Sequence, residues 1–164
     1  MSTKKLTLLS ISVALAMLLS FIESQIPPLV AVPGVKIGLS NIVTVFLIYK
    51  LGIREAASVS IIRIVLSSLL FGSFVSLIYS LSGAVLSFVS MLAVKKIDRF
   101  SSVGVSVVGG VMHNAGQIIA ACVIMETAAL SLYLPPLIVS GIVAGIAVGL
   151  LAGLLLLRLK NLKL

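Results

Sequence analysis

The chain carries its one histidine in the stretch Gly109-Gly-Val-Met-His-Asn-Ala-Gly-Gln117, inside an apolar run over residues 103–127. On a helix, Gly110, His113, Asn114 and Gln117 fall at i, i+3, i+4 and i+7 and share one face. A membrane helix does not aim an imidazole and two carboxamides at lipid, because an unpartnered polar group there is heavily penalised. These positions therefore face protein, water or a ligand. One reading is interhelical hydrogen bonding beside glycines that allow helices to close up. The other is a ligand site within a bundle, since polar groups inside a membrane mark functional positions.

Arg63 is the second group with chemistry to offer. It lies in an apolar segment over residues 55–71, with Ser60 and Ser67 on its face. A mid-helix arginine costs roughly 2.5–3.5 kcal/mol on insertion scales, so a partner or a hydrated cavity is expected. It serves either as a structural clamp on neighbouring carbonyls or a glutamate, or as an anion-binding group. Asn41, in the preceding segment, joins either network. At 1.5 Å per residue the two segments reach Arg63 and His113 after about 13 and 15 Å, so both lie at matching depth. Arg63, His113, Asn114, Gln117 and Asn41, with the loop around Lys36, are expected to line one cavity opening outward. An arginine beside an imidazole suits an anionic or carbonyl-bearing small molecule, with the amides fixing its orientation.

The elements that must position these groups follow from composition. With 60% hydrophobic and 10% charged residues over 164 positions, the chain reads as a multi-pass helical membrane protein. Six spans are drawn, over residues 6–22, 37–49, 55–71, 74–94, 103–127 and 137–157, forming a single transmembrane domain over 1–164. Residues 29–33 form a folded loop or re-entrant piece, bounded by Pro27, Pro28, Pro33 and Gly34. The segment over 130–136, ending in two prolines, is assigned to the connection before the sixth span. No cleavable signal peptide is expected, because Lys4 and Lys5 precede a segment of membrane-spanning length.

Charge orients the six spans. Lys4, Lys5, Lys50, Arg54, Lys95, Lys96, Arg99, Arg158, Lys160 and Lys163 fall on one side, and only Lys36 falls opposite. The positive-inside rule places both termini in the cytoplasm, and a cytoplasmic (plasma) membrane location is expected. Because the basic residues sit singly at helix ends, the net charge of +8 reflects topology and no nucleic-acid partner is expected. Gly141, Gly145, Gly149 and Gly153 form a flat ladder on span six, and Ser12, Ala16 and Ser20 a small-residue strip on span one. Each is either an internal packing seam or a surface for a partner subunit.

Other chemistries lack their residues. Asp98 is the one aspartate, in a basic loop, so no aspartate pair can hold magnesium against a diphosphate. There is no Gly-x-x-x-x-Gly-Lys-Ser/Thr loop for ATP, and one histidine with one cysteine (Cys122) makes neither a zinc site nor a disulfide. A non-enzyme without cofactor or metal is expected.

Three motifs carry a family resemblance across nearly the whole chain. Val32-Pro-Gly-Val-Lys-Ile-Gly-Leu-Ser-Asn-Ile-Val43, Arg63-Ile-Val-Leu-Ser-Ser-Leu-Leu-Phe-Gly-Ser73 and Gly110-Val-Met-His-Asn-Ala-Gly-Gln117 resemble the Gx transporter family, often named heptaprenyl diphosphate synthase component I. That family is similar in turn to the six-helix substrate-binding (S) components of energy-coupling factor (ECF) importers. The resemblance implies an all-α six-helix bundle that binds a small molecule and works with a transmembrane coupling subunit and two ATPases. It also implies that Ser12, Ala16 and Ser20 dock that subunit. Some relatives are associated with prenylquinone metabolism and flavin-based extracellular electron transfer, which implies a second class of role: a non-catalytic accessory subunit.

Overall fold

A computed structural model describes residues 3–26, 38–97 and 99–161. The expectations placed on residues 29–33 and on Lys36 lie outside them. The described residues form α1 (Thr3–Ser24), α2 (Asn41–Lys50), α3 (Ile53–Phe71), α4 (Phe74–Lys95), α5 (Ser102–Ile124) and α6 (Leu134–Arg158). A 3-10 turn over Ala128–Tyr133 leads into α6, and there is no strand among the described residues. Four stretches are long and apolar enough to cross a membrane: α1, α4, α5 and the continuous Ala128–Arg158. The chain is thus an all-helical membrane protein.

Local chemistry sets the boundaries. Ser73 caps α4 by accepting from the Ser76 N–H at 3.1 Å, and Ser101 caps α5 from Gly104 at 3.3 Å, each satisfying an N–H that the helix itself leaves over. Glu126 adopts a left-handed φ of 49°, which turns the chain away, so α5 stops at Ile124 rather than at 127. Pro135 and Pro136 fall within the first turn of α6, where their missing N–H groups have no helical partner to lose. That helix therefore starts at Leu134, earlier than the prolines imply when they are read as a linker.

The second expected span differs most. α2 begins at Asn41 and has 10 residues, a rise of about 15 Å, half the roughly 30 Å of a hydrocarbon core. Residues 41–48 are all buried, as befits a helix that is apolar all round and enclosed by its neighbours. It packs on α1, α3 and α6, while α3 also touches α1 and α4, and α5 lies between α4 and α6.

Lysines tie the helix ends at one pole. Lys5 donates to Glu55 at 2.5 Å, joining the starts of α1 and α3. Lys50 donates to the Leu159 carbonyl at 2.7 Å, and Lys95 to the Ile48 carbonyl at 2.7 Å while lying over the Tyr49 ring. Both place an ammonium at the negative end of a helix dipole. The starts of α1 and α3 and the ends of α2, α4 and α6 therefore meet at one basic pole.

Candidate functional site

The glycines of α5 explain how its polar residues come to be enclosed. A methyl on Gly116 would lie 2.7 Å from the Ser82 carbonyl oxygen, and one on Gly83 would lie 2.8 Å from the His113 carbonyl oxygen. On the other flank, a methyl on Gly110 would lie 2.5 Å from the Gly141 carbonyl oxygen. Backbone thus meets backbone on both sides of α5, and His113, Asn114 and Gln117 are buried between α4 and α6. His113 and Gln117 pack on Gly83, and the Asn114 amide donates to the Leu137 carbonyl of α6 at 2.7 Å.

A second polar group gathers where α1, α2 and α3 meet. Glu23, at the end of α1, is buried and accepts a hydrogen bond from the Gly38 N–H. Gly38 has a φ of 91°, which favours glycine, and a methyl there would lie 2.9 Å from Asn41 Nδ2 and 3.9 Å from His113 Cδ2. Asn41 and His113 therefore both stand beside Gly38, and the two polar groups touch at this point. Glu23 also acts electrostatically on Arg63, which is 7% exposed.

Arg63 and Asn41 line a cavity of about 150 Å³ between α2, α3 and α4. Thr44, Ser60 and Ser87 are the other polar lining residues, and the rest is apolar. The Thr44 and Ser60 hydroxyls bond to each other at 2.9 Å, which leaves Arg63 and Asn41 as the donors of greatest capacity. Beyond Asn41, a second space of about 10 Å³ reaches Gly109, Gly110 and Gly145, about the size of one water. Of the residues expected in one cavity, the structure places Arg63 and Asn41 on the 150 Å³ space. It places His113, Asn114 and Gln117 on the α4–α5–α6 seam. Among the described residues, no group of three His, Cys, Asp or Glu side chains is set to hold a metal ion.

The small-residue positions also have definite places. Ser12, Ala16 and Ser20 are buried, with α1 packed on α3 and α2. Methyls on Gly141, Gly145 and Gly149 would lie 3.0, 2.5 and 2.6 Å from α5 backbone atoms, whereas Gly153 has only the Ser102 hydroxyl, at 3.3 Å. Glu23 was not among the site residues read from the sequence. Its signal was present: it continues the buried face Ser12, Ala16, Ser20 at helical spacing, and it is one of four acidic residues.

The family model described as heptaprenyl diphosphate synthase component I matches residues 12–155. Comparison with curated proteins and with solved structures found no match.

Proposed function

We propose that this chain, which belongs to the heptaprenyl diphosphate synthase component I family, is a membrane transport protein: the substrate-binding subunit of an ECF-type importer for a small organic molecule. The observation that carries the reading is the buried pair of donors, Arg63 and Asn41, on a cavity inside a helical bundle. A guanidinium taken from water there is retained at a cost, and ligand recognition is the function that repays it. The bundle crosses a bacterial plasma membrane six times, with the basic pole and both termini in the cytoplasm. α2, enclosed by its neighbours, and α3, on the outer flank, complete the six. His113, Asn114 and Gln117 hold α4, α5 and α6 around the site, and energy comes from a coupling subunit with two ATPases. The chain performs no chemical step, in keeping with its single aspartate.

The description of the family favours one other reading: an accessory membrane subunit that assists a separate prenyl diphosphate synthase, an electron-transfer partner being the other member of that accessory class. Gentle extraction followed by native mass spectrometry separates the two. Co-purification with a coupling subunit and ATPases, and ATP-driven uptake into proteoliposomes containing all of them, supports the importer. Recovery with a prenyltransferase whose activity requires this chain overturns it in favour of the accessory subunit.

A further inference from the structure

The cavity between α3 and α4 differs from a pocket for a water-soluble solute in size and in where it opens. Ile61, Val85 and Val89 line it and are nevertheless 55%, 62% and 59% exposed, so its mouth lies on the outer flank of the bundle. That flank is apolar, with Ile62, Val65 and Leu66 also exposed along α3. In a bilayer such a face meets acyl chains. The α3–α4 turn at Gly72 and Ser73 closes one end of the gap. The lining residues begin about 12 Å from that turn and continue toward the basic pole, at 1.5 Å per residue. The gap thus opens sideways within the hydrocarbon layer.

Volume restricts the occupant. The cavity measures about 150 Å³, room for about one benzene-sized group, whereas small-molecule sites run to roughly 300–1,000 Å³. Only part of a ligand fits inside, and the remainder must lie in the medium at the mouth, which is lipid. Charge restricts the part that fits. Arg63 can donate hydrogen bonds, and the buried Glu23 carboxylate accepts from the Gly38 N–H right beside Asn41, so a negative charge already stands next to the site's donors before any ligand arrives. A neutral acceptor gains the guanidinium and amide hydrogen bonds without bringing a net charge to mid-bilayer depth.

We propose that the α3–α4 cavity receives the carbonyl-bearing head of a neutral single-chain lipid directly from the bilayer, with its tail passing out between Ile61 and Val85. This deepens the ligand-binding reading above and rests on it for the role of Arg63.

The test uses the full chain in lipid nanodiscs with three photoreactive probes of equal diazirine placement: a long-chain methyl ketone, the same chain without a head, and the same chain ending in phosphate. Peptide mapping should place the ketone adducts within residues 57–64 and 81–91, about tenfold above the headless chain, as one hydrogen bond to a charged donor produces. Ala84→Phe, which fills the cavity, should abolish that excess. Leu154→Phe, on an exposed face of α6, should not. Equal labelling by ketone and headless chain would mean an apolar crevice only and overturns the proposal, as does preference for the phosphate probe or adducts mapped elsewhere. The probe comparison on the unaltered chain decides the matter even where Ala84→Phe does not fold. Arg63-dependent binding of a water-soluble solute with no ketone excess would overturn lateral access while leaving the importer reading intact. A ketone excess in a chain that assembles with no importer would do the reverse.

Discussion

Arg63 and Glu23 settle different questions because one touches the cavity and the other does not. Both charges are buried and Glu23 acts electrostatically on Arg63, so removing one leaves the other less compensated, whereas removing both relieves that imbalance. Arg63→Gln should therefore lower the melting temperature, and Arg63→Gln/Glu23→Gln should regain most of the loss. Ligand binding should fall about tenfold or more in both variants, because the guanidinium hydrogen bonds are gone in both. Thermal melts in detergent, paired with binding assays, read the two effects separately. Binding restored in the double variant would make Arg63 a clamp and nothing more. Asn114 belongs to the seam: Asn114→Ala removes its bond to the Leu137 carbonyl. It should cost about 1 kcal/mol, typical of an interhelical hydrogen bond in a membrane, with binding unchanged in the folded fraction.

Among the elements, the α5–α6 seam gives a graded test. Methyls on Gly145 and Gly149 would meet α5 backbone at 2.5 and 2.6 Å, where nothing moves without parting the helices. Gly145→Ala and Gly149→Ala should each destabilise by about 1–3 kcal/mol, the usual range for overpacking. Gly153→Ala meets only a serine hydroxyl that can rotate away, and should lie within about 0.5 kcal/mol of the parent. Equal melting temperatures for all three would show that the seam opens freely. The ladder was legible in the sequence because a four-residue glycine repeat makes a flat helix face that another backbone can approach, although the repeat did not say whether that backbone belongs to this chain or to a partner. The second span was read as short, over residues 37–49, but its start at Asn41 was not legible, since apolar residues flanking a helix look like the helix itself. Nor did periodicity reveal which neighbour takes which polar residue. Asn41 and Asn114 are both carboxamides in apolar runs, yet one lines a cavity and the other bonds a helix carbonyl. Glu23 was not placed among the site residues because a carboxylate near the end of a span is usually solvated. Only the fold brings it against Gly38 and within range of Arg63.

For the whole molecule, the open question is which pole faces the cytoplasm. Lys5, Lys50 and Lys95 are already engaged at the basic pole with Glu55 and with helix carbonyls. Lys4, Arg54, Lys96, Arg99, Arg158 and Lys160 remain exposed, either beyond the helices or in their terminal turns. Basic residues close to helix ends resist translocation and set orientation. Ser101 caps the start of α5 at this pole, because the start of α5 packs on the end of α6 through Val103 and Gly149. Ser24 ends α1 and Ser131 lies between α5 and α6, both at the opposite pole. In a Cys122→Ala background, single cysteines at Ser24 and Ser131 should react with a membrane-impermeant maleimide in sealed cells. A cysteine at Ser101 should react only after the membrane is opened. Labelling of Ser101 in sealed cells, with Ser24 and Ser131 protected, would invert the topology. Labelling of Ser24 and Ser101 from the same side would show that α2, α3 and α4 do not make three crossings between them, and would end the six-span arrangement.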